Sequence, residues 1–274
     1  MTVWSIDANS VYARAWFAVN KGEEKFDDSR SDLTSAQNTM RAIGLVLTHA
    51  ARDIGKPDAL VFCWDGKSKS DKARKPKPEG FEEDLVLVRQ WMPEFTGCPQ
   101  YDSELEADDA VATVAINAKE AGDDCVVLSS DKDLRQLIGK SIRYFDIRVK
   151  HLLTAEDVRQ RFGIHKPSHL AVYLAVVGDP GDGITGVPKF GPKKFAKIYE
   201  AVEPHHTAVE AMDIVMGALD LYSQKAFESC LCMTTLNTSL PDAPVPKPLN
   251  GVVPRWAADT WRWPRPREER PEEI

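Results

Sequence analysis

Hydrophobic positions fall along this chain in two kinds of run. Short continuous stretches, Val3-Trp4-Ser5-Ile6, Ala59-Leu60-Val61-Phe62-Cys63-Trp64 and Cys125-Val126-Val127-Leu128-Ser129, have the length of strands buried on both faces, and Ile142-Arg143-Tyr144-Phe145 is a fourth. Longer stretches between them carry apolar residues at helical spacing. Residues 11–19 read as a helix with Arg14 its one charge, 35–53 place Met40, Ile43, Leu47 and Ala50 on one stripe, and 82–91 follow the same pattern. After residue 106, Ala107, Ala110, Val111, Val114, Ala115 and Ala118 recur on one face. Strands alternating with helices predict an α/β fold with a mostly parallel central sheet. Further helices are expected from Thr154, which with Asp157 resembles a capping box, over 169–177, after Pro192 and over 221–236. Residues 21–32 read as a polar loop, and the prolines beyond residue 240 as an extended tail.

Charge changes this picture, because three of the apolar runs end in carboxylates. Asp7 follows the first, Asp65 the second, and Ser130-Asp131-Lys132-Asp133 the third. Sites in parallel sheets form outside the carboxyl ends of the strands, so these acids would share one edge. Glu104, Glu106, Asp108 and Asp109 crowd the start of the helix that follows residue 106, and Gly178-Asp179-Pro180-Gly181-Asp182-Gly183 brings a last acid pair. Acids at a helix start would by themselves complement its dipole. Their recurrence at the other motifs favours a shared cation, and an oxygen-only donor set suits Mg²⁺ or Mn²⁺ better than zinc.

Basic residues are segregated from these acids. Lys67, Lys69, Lys72, Arg74, Lys75 and Lys77 stand against the single acid Asp71 directly after Asp65, either as a solvated loop or as an arm that tracks phosphates. Behind the last acid pair, Gly186 and Gly191 bracket a tight turn between two helices, with Lys189, Lys193, Lys194 and Lys197 around it. Backbone N–H groups at the second helix start, with lysines beside them, suit sequence-independent contact with duplex phosphates.

Composition sets the remaining bounds. The 274 residues are 43% hydrophobic and 28% charged, which fits one large domain with a smaller companion and excludes wholesale disorder. The net charge of −7 argues against a nucleic-acid partner only until its segregation is seen. No apolar run reaches membrane-span length and the first residues lack a signal-peptide pattern, so a cytoplasmic protein with no membrane partner is expected. The five cysteines, Cys63, Cys98, Cys125, Cys230 and Cys232, show no CxxC spacing and read as reduced core residues. The tryptophan- and arginine-rich end, Trp261-Arg262-Trp263-Pro264-Arg265, would pack on the body or meet a partner.

Three motifs together carry a resemblance: Glu106-Ala107-Asp108-Asp109, Ser130-Asp131-Lys132-Asp133-Leu134, and Tyr173-Leu174-Ala175-Val176-Val177-Gly178-Asp179 through Gly191-Pro192-Lys193. In this order they resemble the 5′ nuclease family of phage flap endonucleases and 5′–3′ exonucleases and the 5′ nuclease domain of bacterial DNA polymerase I. The likeness runs over 3–198. It implies a PIN-like core over 1–165 with a short basic arch at about 66–80, a helix-hairpin-helix DNA-binding region over 166–240, and a tail over 241–274. The implied activity is metal-dependent hydrolysis of DNA phosphodiester bonds by two divalent ions, in phage-type replication or repair. Carried over by motif, Asp7, Asp65, Glu106, Asp108 and Asp109 would serve the more tightly held ion, and Asp131, Asp133, Asp179 and Asp182 the second. Arg14, Lys72, and Arg74 or Lys75 would act on the scissile phosphate, and the hairpin would hold a potassium ion. The implied partner is DNA with a 5′ flap, 5′ overhang or free 5′ end, with an RNA primer in a hybrid and a replication protein at the tail as further expectations.

Two departures stand out. The family arch is longer, with a Tyr-Lys-x-x-Arg pattern where this chain has Asp71-Lys72-Ala73-Arg74-Lys75, and Gly183 replaces an asparagine common after the last acid. Two rivals share the fold, a non-catalytic DNA-junction binder and a PIN-type ribonuclease. The complete set of acids speaks against the first and the hairpin turn against the second.

Overall fold

The four expected strands form, and two short ones join them. The computed structural model describes residues 1–21, 33–66, 76–104, 106–246 and 248–249. Among these, β1 (Thr2–Asp7), β2 (Ala59–Trp64), β3 (Gln100–Asp102), β4 (Asp124–Ser129), β5 (Ile142–Asp146) and β6 (His151–Leu153) make one sheet in the order β3-β2-β1-β4-β5-β6, parallel except for β6. β3 and β6 have three residues each, too few to leave a periodicity in the sequence. Asp102 ends β3 and pairs with Arg89.

β1 is central, with Val3 in register with Ala59 on one side and Cys125 on the other. The chain winds outward to β2 and β3, then crosses back to β4, so the switch point lies between β1 and β4. Alternate strand residues serve opposite faces. Trp4, Ile6, Leu60, Phe62, Val126 and Leu128 share a core with α1 (Ala8–Lys21), α2 (Ser35–Ile54) and α3 (Phe81–Thr96). Val3, Val61, Cys63, Cys125 and Val127 share the other with α4 (Ala107–Glu120). Burial on both faces explains why these strands read as unbroken apolar runs.

Helix ends follow local chemistry more than apolar spacing. α1 starts at Ala8, ahead of the apolar pattern, because Asp7 accepts the Ser10 N–H at 2.9 Å and secures the first turn. α3 continues past Pro93, and the Gly97 N–H closes it on the Pro93 carbonyl at 2.9 Å. α5 (Ala155–Phe162) has the expected box: Asp157 N–H donates to Thr154 Oγ1 and Thr154 N–H to the Asp157 carboxylate. α6 (Leu170–Val177), α7 (Pro192–Tyr199), α8 (Ala208–Gly217) and α9 (Leu221–Thr234) follow, and α8 has no counterpart in the sequence reading. Phe195, Tyr199, Ala211 and Phe227 extend the α4-side core into these helices.

After α9 the chain turns back over the sheet's helical layer. Asn237 N–H donates to Asp109 and Leu240 N–H to Thr113, both on α4, and Leu249 N–H donates to the Asp58 carbonyl at 2.8 Å. The residues beyond 249, with their tryptophans, lie outside the described residues. Cys63, Cys98, Cys125 and Cys230 are buried, but Cys232, expected in the core, is exposed because α9 turns that position outward. Among the described residues no helix is long and apolar enough to cross a membrane.

Candidate active site

The carboxyl ends of β1, β2 and β4 deliver Asp7, Asp65 and Asp131 to one edge, as the strand pattern requires. Asp7 is 6% exposed and accepts from Ser10 N–H and, at 2.6 Å, from Ser129 Oγ. Burial pushes its carboxyl up to about 6, although these hydrogen bonds pull the other way. Asp65 accepts from Asn9 Nδ2 and from the Ala107 N–H, each at 2.9 Å, which ties β2 to the first turn of α4. Glu106 stands at the N-cap of that helix with no capping hydrogen bond from its side chain. Asp108 accepts from the Asp109 N–H, while Asp109 Oδ1 takes the Asn237 N–H at 2.8 Å.

Gly66 makes this meeting possible. A Cβ there would lie 1.9 Å from the Ser103 carbonyl oxygen, so only glycine lets the exit of β2 press against the strand leading into α4.

The second group forms below β4. Asp131 accepts the Asp133 N–H at 2.9 Å, and its own carbonyl takes the Tyr144 hydroxyl at 2.6 Å, which clamps the turn. One carboxylate oxygen from each of Asp133, Asp179 and Asp182 lies within 4.8 Å of the others. Among the described residues they are the one trio this compact. Asp133 is 3% exposed and its Oδ1 meets no hydrogen-bond donor. Burial, then the charge of Asp131, pushes its carboxyl up to about 7. Burial and the adjacent Asp182 also raise Asp179, against the pull of Lys132. The Lys132 ammonium pairs with Asp179 and lies 3.1 Å from Asp182 Oδ2. Burial opposes its charge, but the two carboxylates hold it above its ordinary value.

The hairpin is fastened to this trio. Asp179 and Ile184 exchange backbone hydrogen bonds at 2.7 and 2.9 Å, and Val187 N–H returns to the Val176 carbonyl. Gly186 has φ 70°, and a Cβ there would sit 2.5 Å from the Gly178 nitrogen, so the loop's two strands cross with no room for a side chain. Gly191 caps α7, with Pro192 in its first turn. Lys189, Lys193, Lys194 and Lys197 are exposed around this turn, Lys194 over the Phe190 ring at 5.3 Å. Lys189 itself has φ 64°.

The structure therefore joins Asp133, Asp179 and Asp182 closely, joins Asp65 to α4, and sets Asp131 between Asp7 and the trio. Arg14 is half-buried on α1, and Lys77 lies over the Phe81 ring at 4.8 Å. Lys67, Lys69, Lys72, Arg74 and Lys75 lie outside the described residues. Sequence reasoning missed Asn9, Ser129, Tyr144, Gly66 and Lys132. Lys132 alone left a signal, as the cation between two acids of a motif.

Comparison with known proteins shows the family and the fold. Residues 2–163 match the family model of the 5′-3′ exonuclease N-terminal resolvase-like domain. Flap endonuclease Xni of Shewanella loihica is 29% identical over 174 residues, 59% of this chain and 67% of that protein, and its Shewanella sediminis counterpart is 30% identical over 57% of this chain and 66% of its own length. The chain thus spans about two thirds of the length of these relatives. DNA polymerase I of Caldicellulosiruptor bescii is 25% identical over 86% of this chain and 30% of its own length. The fold is shared with the T5 D15 protein co-crystallised with metal ions, at a TM-score of 0.61 and 16% identity, covering 87% of this chain and 91% of that one.

Proposed function

The chain belongs to the 5′–3′ exonuclease family whose N-terminal resolvase-like domain it carries, and on that premise we propose that it is a structure-specific 5′ nuclease, a flap endonuclease and 5′–3′ exonuclease hydrolysing DNA phosphodiester bonds. One observation carries this reading. Asp133, Asp179 and Asp182 converge, with an unpartnered buried oxygen on Asp133, beside a glycine turn ringed by lysines.

These residues fit divalent ions. The donors are all oxygens, Asp133 Oδ1 lacks a partner, and a cation, the Lys132 ammonium, already stands among them. Asp131, Asp133, Asp179 and Asp182 would hold one Mg²⁺ or Mn²⁺, and Asp7, Asp65, Glu106, Asp108 and Asp109 the other. Such ions activate water and stabilise charge building on the phosphate oxygens. The chain's own groups prepare the edge. Ser10 and Ser129 orient Asp7, and Asn9 and the Ala107 N–H orient Asp65. Arg14, Lys72, Arg74 and Lys75 orient the scissile phosphate. Lys67, Lys69 and Lys77, with Gly186, Lys189, Gly191, Lys193, Lys194 and Lys197, grip the backbone of the substrate on either side, and the hairpin carbonyls take a potassium ion.

The reading divides the chain into a nuclease core over 1–165, a hairpin module over 166–240 and a tail. It places the protein in the cytoplasm, with RNA-primed hybrids as further substrates and a replication protein at the tail. A relative in the fold, the T5 D15 flap endonuclease, has been solved with DNA and metal ions, which supports DNA as the substrate class.

The test is cleavage of a 5′-flapped DNA duplex labelled on both strand ends, with and without Mg²⁺. Metal-dependent cutting near the flap junction is the expected result. Tight binding without cutting in Mg²⁺ or Mn²⁺ would favour a junction-binding protein, and preference for RNA duplexes a ribonuclease.

A further inference from the structure

We infer that Lys132 is a tethered counter-cation that occupies the place of the second divalent ion and must leave when that ion enters. The inference rests on reading Asp133, Asp179 and Asp182 as ion ligands. Its own basis is the position of the ammonium, paired with Asp179 and 3.1 Å from Asp182, on the residue adjoining Asp133. Gly181 flanks the pair: a Cβ there would lie 3.7 Å from Lys132 Nζ, an ordinary contact, and a tighter 3.3 Å from Asp179 Oδ1.

Three carboxylates this close repel one another, and in a partly buried site a bound proton or a cation relieves that repulsion. Lys132 does so from within the chain. Its backbone is held at the start of the turn, where its carbonyl accepts the Arg135 N–H at 3.1 Å. Its side chain remains 30% exposed against 6% for Asp179, so the ammonium has a route to solvent while the carboxylates stay. An ammonium and a divalent ion cannot both contact Asp179 and Asp182 without strong repulsion. Ion entry therefore carries the cost of expelling Lys132, and apparent affinity is lowered by the fraction of molecules in which the trio is open. The trio holds its shape without metal in exchange for a weaker ion site.

The test is Mn²⁺ titration calorimetry on the full chain, paired with melting temperatures in EDTA and in Mn²⁺. Lys132→Met should tighten the weaker Mn²⁺ site about tenfold, the worth of one charge-assisted contact. It should also lower the metal-free melting temperature and enlarge the rise that Mn²⁺ brings. Lys132→Gln carries the same expectation should the Met variant not fold. Lys119→Met, an exposed lysine on α4, removes the same charge elsewhere and should change neither reading. An unchanged or weakened Mn²⁺ site in both Lys132 variants, or an equal gain in Lys119→Met, would overturn the inference. If the wild type shows no binding event that Asp179→Asn removes, the ion-site reading fails with it; if that event exists and ignores Lys132, only the role of Lys132 fails.

Discussion

The two halves of the acidic edge are held together by different means. Around β1, β2 and α4, Asp7 and Asp65 are aimed by neutral donors: the Ser10 N–H, the Ser129 hydroxyl, the Asn9 amide and the Ala107 N–H. Around the hairpin, Asp133, Asp179 and Asp182 are gathered by a lysine, and one buried oxygen has no donor. Neutral donors orient a carboxylate without cancelling its charge, so Asp7 and Asp65 are pre-set for the ion we propose. A lysine cancels charge, so on the proposal above the second half would have two forms, closed on its own cation or open to another.

Substitutions that strike one half at a time should separate these behaviours. The largest effect is expected from the proposed ion ligands. Asp179→Asn and Asp109→Asn should each cut the rate of flap cleavage by more than about a hundredfold, the upper range for groups that merely support a ligand, while DNA binding persists. Asp109→Asn keeps an oxygen for the Asn237 N–H, so its melting temperature should hold. Normal cleavage by Asp109→Asn would remove that residue from the metal set.

Gly186→Ala should come next, through the fold. Its positive φ and the crossing with Gly178 would cost about 1–3 kcal/mol by denaturant melting, with weaker duplex binding alongside. An unaffected melt would mean that the hairpin and the trio are not one rigid piece.

The pH dependence of stability is smaller and tests both halves at once. Asp7 at about 6 and Asp133 at about 7 hold protons more tightly in the folded chain than in the unfolded one, where both return to the ordinary aspartate value of 3.8. As pH rises from about 4 to about 7 the unfolded chain releases these protons first, so metal-free stability should fall across that window and level off above it. Calorimetry in EDTA should show the decline, and Mg²⁺, which favours the ionised carboxylates, should flatten it. A decline untouched by Mg²⁺ would separate these acids from ion binding.

The smallest effect belongs to the hairpin lysines. Neutralising Lys193 and Lys194 together should lower the salt dependence of duplex binding by about one unit of slope per lost phosphate contact, with little change in cleavage at saturating DNA. Competitive binding over a salt series would show it, and an unchanged slope would remove these two from the interface.

Much of this architecture is legible in residue order. Strands buried on both faces must be apolar throughout, so Val3 to Ile6, Ala59 to Trp64 and Cys125 to Ser129 announce themselves, and a parallel sheet then dictates that Asp7, Asp65 and Asp131 share an edge. Glycine and proline mark the hairpin because backbone conformation there admits few residues. β3 and β6 escaped because three residues carry no period, and α8 because Ala, Val, Met and Ile fall nearly all round it, Val209 even on the exposed side, so no single apolar stripe stands out.

What residue order determined by itself is therefore the inventory of acids, the edge that collects Asp7, Asp65 and Asp131, and the turn that follows the last pair. Only the tertiary structure decided which acids meet, that Asp109 faces the returning segment at Asn237, and that Lys132 sits among the trio rather than in solvent. The physical reason is range. Strand and turn patterns are local and leave their mark on neighbouring positions, whereas the contact between Lys132 and Asp182 joins residues 50 apart, and that between Asp109 and Asn237 residues 128 apart, through packing that no local pattern encodes.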